Sequence, residues 1–186
     1  MVAYRRSFVE GGTYFFTAAL ADRRSDLLVR RVEALRAAIR AVAGEHPFGI
    51  EAIVVLPDHL HLVATLPPGD ADYPLRMQRI KQRFTRALVR SGLELPHRSD
   101  GGRALWQRRY WEHTIRDAHD LRRHIDYVHI NPVKHGLVNR VVDWPFSSFH
   151  RFVRTGLLPA AWGGEATSRA GPPARSSGPP SFGPIA

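Results

Sequence analysis

Seven segments between Thr13 and Ile130 switch between a period of two and a period near 3.6, and this alternation restricts the fold more than any other feature. Thr13 to Leu20, just after Gly11-Gly12, is rich in β-branched and aromatic residues and predicts a strand. Asp26 to Val42 sets Leu28, Val32, Leu35, Ile39 and Val42 at helical spacing and stops at Gly44. Phe48 to Leu56 predicts a second strand, Pro57-Asp58 a turn, and His59 to Leu66 a third strand. Pro74 to Arg90 is helical, with proline early and Gly92 just past its end. Arg109 to Ile115 predicts a fourth strand. Asp117 caps a helix running to about Ile130, and Ser147 to Thr155 forms a short last one.

The order β-α-β-β-α-β, followed by helices, predicts an α+β domain: a four-stranded antiparallel sheet of the ferredoxin or RRM-like kind, with helices packed on one face. The chain divides at residue 162. Residues 1–162 form the folded domain, whereas 163–186 hold five Gly, five Pro and four Ser with few apolar side chains and predict a flexible tail. Cysteine is absent, which excludes disulfides, thiolate-bound zinc and thiol catalysis. No apolar run approaches the roughly 18 residues of a membrane span, and Met1 to Phe8 lacks the apolar stretch of a secretory signal. A cytoplasmic, nucleoid-associated protein is expected. Lys and Arg number 27 against 17 Asp and Glu, a formal charge of +10. That balance favours a polyanionic partner, nucleic acid or an anionic membrane surface.

Two constellations carry chemistry. In His59-Leu60-His61 the alternation of a strand puts both imidazoles on one face and Leu60, Leu62, Ala64 and Leu66 on the other. Paired imidazoles can share a divalent ion; the same spacing also suits two polar residues on a solvated strand face. On the helix from Asp117, Leu121, Ile125 and Val128 form an apolar stripe, and Asp120, His124, Tyr127 and Asn131 form a second one. That second row gathers a carboxylate, an imidazole, a phenol and an amide. Asn131 before Pro132 also has the form of an N-cap for a following turn ended by Gly136, and an amide so placed keeps a carbonyl oxygen for a hard metal.

The charge is patterned too. Arg76, Arg79, Arg83, Arg86 and Arg90 recur along one helix face beside apolar Met77, Ile80, Phe84 and Ala87, with no Asp or Glu between Tyr73 and Leu93. An unbalanced row of arginines repels itself unless phosphates neutralise it, so the row predicts nucleic-acid contact. Arg103, Trp106, Arg108, Arg109, Tyr110 and Trp111 interleave guanidinium and aromatic groups, the arrangement on which single strands stack. The two tryptophans serve equally as core plugs.

Together these residues resemble the REP-associated tyrosine transposases, relatives of the single-strand insertion-sequence transposases in the HUH endonuclease class. The matching strings are Gly12-Thr-Tyr-Phe-Phe-Thr17, Leu56-Pro-Asp-His-Leu-His61, Trp106-Gln-Arg-Arg-Tyr-Trp-Glu-His113, Tyr127-Val-His-Ile-Asn-Pro-Val-Lys-His-Gly136 and Asp143-Trp-Pro-Phe-Ser-Ser-Phe-His150. The resemblance covers about residues 4–162, and the five strings fall in the family's order.

The resemblance implies a metal-dependent single-stranded DNA endonuclease and strand-transferase. Its metal ligands would be His59 and His61, and Tyr127 its nucleophile. Asn131 stands where related transposases carry a third-ligand Gln, one methylene longer; His124, His129 and His135 are alternative donors. The expected cofactor is Mg²⁺ or Mn²⁺. The expected partner is single-stranded or hairpin DNA from palindromic repeats, bound by a monomer or homodimer through Arg76, Arg79, Arg83, Arg86, Trp106, Arg108, Arg109 and Lys134. A phenol of pKa about 10 is a poor nucleophile at neutral pH, which is why a metal ion belongs in such a site. The reading from another class is a noncatalytic nucleic-acid binder, which keeps the basic face without the chemistry.

Overall fold

A computed structural model describes residues 7–97 and 102–163. Strands β1 (Thr13–Ala19), β2 (Gly49–Val55), β3 (His59–Thr65) and β4 (Trp111–Thr114) form one sheet in the order β2-β3-β1-β4, antiparallel throughout. The expected sheet is therefore present, with its longest ladder, β3 with β1, at the centre. Gly11 enters β1 at φ 65°, a left-handed conformation that glycine adopts without steric cost.

Helices α1 (Leu27–Arg30), α2 (Val32–Glu45) and α3 (Tyr73–Arg90) cover one face. The single helix expected over Asp26 to Val42 is two, separated at Arg31, whose φ of −119° leaves the helical range. Against this face pack Tyr14, Phe16, Ala18 and Leu20 of β1 and its end, and Leu60, Leu62, Ala64 and Leu66 of β3 and its end. α3 starts at Asp72, whose carboxylate accepts the Leu75 N–H, and contributes Met77, Ile80, Phe84 and Leu88 to the core.

The opposite face is covered too, contrary to the one-sided packing expected. Helix α4 (Ala118–Lys134), a 3-10 turn at Val141–Asp143 and helix α5 (Phe149–Arg154) lie there. Phe15, Ala52, Val54, Leu56 and Val63 meet Val128 and Trp144 in a second core, with Leu121 and Ile125 at its margin. Alternation along each strand supplies both cores, since neighbouring side chains point to opposite faces. The Trp144 indole N–H donates to the Val55 carbonyl at 3.0 Å and fixes the return of the chain. Apart from Gly163, the tail expected over 163–186 lies outside the described residues.

α4 begins as expected, with the Asp117 carboxylate accepting the Asp120 N–H. It does not end at Ile130. It continues through Pro132 to Lys134, and Gly136 at φ 66° turns the chain away. Asn131 is therefore no N-cap but a buried residue within the helix, its Nδ2 donating to the Tyr127 carbonyl at 3.1 Å. Proline in a last turn removes one internal hydrogen bond, a loss that the packed face tolerates.

Candidate active site

Strand register writes the floor of the site. Across β3, β1 and β4, His61, Thr17 and Trp111 form one row, and Val63, Phe15 and His113 form the next. His59 opposes Ala19 at the end of the ladder. α4 crosses this floor and lowers its polar stripe onto it.

The Tyr127 ring meets Phe15 edge-on at 5.8 Å and His61 edge-on at 5.3 Å between centroids. Lys134, two turns along the helix, places its Nζ 4.7 Å from the Tyr127 ring centre. His59 and His61 lie 5.0 Å apart and are only 5% and 3% exposed, so they are not polar residues on a solvated face. Each is oriented by a partner: His59 Nδ1 is 2.8 Å from Asp58, itself paired with Arg23, and His61 Nδ1 is 2.8 Å from the Thr17 hydroxyl.

Burial, with the charge of His59 added, holds His61 well below the usual imidazole range, so it is neutral at pH 7. Its Nε2 has no hydrogen-bond partner and is buried, and the same is true of the Asn131 Oδ1. Asn131 is 1% exposed and its amide flanks His61. Because Nδ2 is committed to the Tyr127 carbonyl, the oxygen is the free end. In the His61 tautomer whose Nδ1–H donates to the Thr17 hydroxyl, Nε2 is an acceptor, and it and the Asn131 oxygen are then two buried acceptors that cost several kcal/mol unless something positive satisfies both. A divalent cation does so, and a neutral imidazole with an amide oxygen is a donor set that such ions accept. The residues fit a metal.

Among the alternative donors, His135 lies beside His59 at 5.1 Å between rings. His129 faces away, 0% exposed among Phe149, Phe152 and Trp162, with Nε2 3.1 Å from the Ser148 hydroxyl. His124 turns instead to Asp120 and to His113, a residue the sequence reading did not single out. Alternation along β4 carried the missing signal: His113 shares the face of Trp111, and the two rings stack at 5.9 Å.

A family model described as "Transposase IS200 like" matches residues 10–131, a span that ends on Asn131 and contains both histidines and Tyr127. The chain belongs to the IS200-like transposase family. It is 48% identical over 167 residues to the REP-associated tyrosine transposase of Escherichia coli K12, covering 90% of this chain and 94% of that protein. A putative REP-associated tyrosine transposase of Haemophilus influenzae is 45% identical over 169 residues, covering 88% of this chain and 94% of that one. A solved REP-associated tyrosine transposase bound to a REP hairpin superposes with a TM-score of 0.79 at 48% identity, covering 91% of this chain and 96% of that one. This is a tyrosine-transposase enzyme, of the kind that cleaves and rejoins DNA. No helix among the described residues is long and apolar enough to cross a membrane.

In this IS200-like transposase the arginine row is not the uniform cationic face that its spacing predicts. Arg76 is 5% exposed and spends its guanidinium inside the protein: on Asp70 at 2.6 and 3.1 Å, and on the carbonyls of His46, Pro47 and Asp72. Arg83 pairs with Glu45 of α2 at 2.6 Å. These carboxylates lie outside the acid-free stretch and reach it only through the fold. Arg79, Arg86 and Arg90 are exposed, but α3 is on the sheet face opposite Tyr127. Trp106 is 5% exposed, packed edge-on against Phe84 at 5.7 Å, and is a core plug rather than a stacking platform. Arg108, Arg109 and Lys134 lie at the surface.

Proposed function

We propose that this transposase is a metal-dependent single-stranded DNA endonuclease and strand-transferase acting on hairpin-forming palindromic repeats through a covalent 5′-phosphotyrosine. The observation that carries the reading is the convergence of Tyr127 on His61, where His61 Nε2 and Asn131 Oδ1 are both buried without a partner. The relative solved with a REP hairpin supports a hairpin as ligand.

His59, His61 and Asn131 would hold Mg²⁺ or Mn²⁺, which when bound supplies polarisation of the scissile phosphate and offsets its developing charge. Asp58 and Thr17 orient the two imidazoles, as outer partners of metal-binding histidines do. Tyr127 Oη attacks phosphorus; one P–O bond to tyrosine forms as the bond to the 3′-oxygen breaks, and the proton lost by the phenol balances the one gained by the leaving hydroxyl. Phe15 beneath the ring limits its tilt. Because one phosphodiester replaces another, the freed 3′-hydroxyl reverses the step or joins a new end without ATP. Exposed Arg79, Arg86, Arg108, Arg109 and Lys134 are the candidate phosphate contacts.

The test is a labelled hairpin mixed with the full chain and Mn²⁺, then denatured. A protein-linked label on the 3′ side of the cut is expected, lost with chelator, with His61→Ala and with Tyr127→Phe, while Tyr127→Phe retains hairpin affinity. Binding without cleavage by the unaltered chain would make it a noncatalytic binder, and cleavage without an adduct would make water the nucleophile. An adduct surviving Tyr127→Phe would place the nucleophile elsewhere.

A further inference from the structure

The polar stripe of α4 has an upper half that the DNA chemistry leaves unused. Asp120 and His124 occupy successive turns, and β4 brings His113 against them. One donor atom from each of the three lies within 4.8 Å of the others. The His113 Nε2 to Asp120 Oδ2 distance is 2.8 Å, His124 Nδ1 donates to the Asp120 main-chain carbonyl at 2.8 Å and lies 3.2 Å from Asp120 Oδ1, and the two imidazoles stack at 4.7 Å. Asp120 is buried and both histidines are largely covered.

We propose that His113, Asp120 and His124 form a second cation site, separate from the His59–His61 pair, which takes a zinc-type divalent ion and ties β4 to the helix carrying Tyr127. Two imidazole nitrogens and one carboxylate oxygen are a zinc-type donor set, with the fourth position left for water. Donors bound to one such ion at roughly 2.0–2.2 Å stand about 3–3.5 Å apart, and the three donor atoms here already lie within 4.8 Å of one another. Protonation states suit binding. Burial pushes the Asp120 carboxyl up, but the His113 hydrogen bond and the Arg116 N–H outweigh it and hold the group ionised. Burial pushes His124 down and keeps it neutral. Metal ligation requires those two forms, with the ring protons of His113 and His124 moved to the nitrogens that face away from the ion.

The placement has a mechanical consequence. Phe15 touches His124 at 4.9 Å, Tyr127 at 5.8 Å and His61 at 5.3 Å, so an ion holding His124 fixes one wall of the ring stack on which Tyr127 rests. The inference does not depend on the proposed DNA chemistry, and either can fail alone.

The experiment uses the full chain carrying His59→Ala and His61→Ala, which disables the first site. Titration with Co²⁺, followed by its ligand-field absorption, and with Zn²⁺, followed by calorimetry and melting temperature, should find one bound equivalent and a higher melting temperature. Adding His113→Ala, or Asp120→Asn, should weaken that binding at least tenfold and remove the thermal shift. Circular dichroism checks that each variant folds. If the double variant binds no equivalent, the three side chains form only a hydrogen-bonded clamp and the proposal fails. Binding that ignores both added substitutions overturns it equally.

Discussion

Tyr127 on α4 stands edge-on to the imidazole of His61 on β3, with 5.3 Å between ring centres, although the two belong to elements that are not sequence neighbours. Asn131, one turn further on, presents its unpartnered oxygen beside the same imidazole. If that oxygen is the third donor, Asn131→Leu should weaken Mn²⁺ binding by at least about tenfold. Its melting temperature should change little, since removing a buried unpartnered oxygen offsets the lost Nδ2 hydrogen bond to the Tyr127 carbonyl. Calorimetric titration of Mn²⁺ decides it; unchanged affinity would pass the role to His135.

Lys134 lies over the Tyr127 ring at 4.7 Å, where its charge favours negative charge developing on the phenol oxygen. A cation over an aromatic ring at an exposed site is worth about 0.5–1 kcal/mol, so Lys134→Gln should slow adduct formation about two- to fivefold under single-turnover conditions. A rate equal to that of the unaltered chain would confine Lys134 to the surface.

Two classes of arginine on α3 should separate cleanly. Arg76→Gln takes a buried guanidinium off Asp70 and three carbonyls and should cost about 2 kcal/mol of stability. It should leave the salt dependence of DNA binding unchanged. Arg79→Gln with Arg86→Gln should do the reverse: no loss of stability, and a log–log salt slope smaller in magnitude by about 1.4–1.8 if both touch phosphates. Urea melts and binding measured across a salt series read the two quantities independently.

His129 predicts a pH dependence. Burial lowers it from 6.5 to about 4, so the unfolded chain binds the proton more readily than the folded one. The stability linked to its neutral form is complete above pH 6.5 and is lost as the pH falls towards 4. Between pH 7 and pH 5 the loss should be on the order of 2 kcal/mol. His129→Leu should flatten that part of the profile in denaturant melts; an unaltered slope would assign the acid sensitivity to other groups.

Much of this was legible in the chain itself. Alternation in His59-Leu60-His61 was enough to set both imidazoles on one face, because a strand has a period of two whatever it packs against. The steps from Asp120 through His124 and Tyr127 to Asn131 likewise defined one helix face before any contact was known. What local pattern misjudged was the environment of single groups. Asn131 before Pro132 suits a cap as well as a last turn, and only the second core holding Val128 keeps α4 helical through it.

Sequence by itself determined the element order, the faces and the pairing of chemical types along each of them, since these follow from covalent periodicity. Tertiary structure alone decided which charges are satisfied and which faces meet. Arg76 finds Asp70 and three carbonyls, and Arg83 finds Glu45, through loop and helix placement that no local spacing encodes. His113 reaches Asp120 because β4 and α4 pack together. Tyr127 reaches His61 because the register of β1 with β3 fixes the floor and α4 crosses it. Those distances arise from packing many side chains at once, and packing is a property of the whole chain.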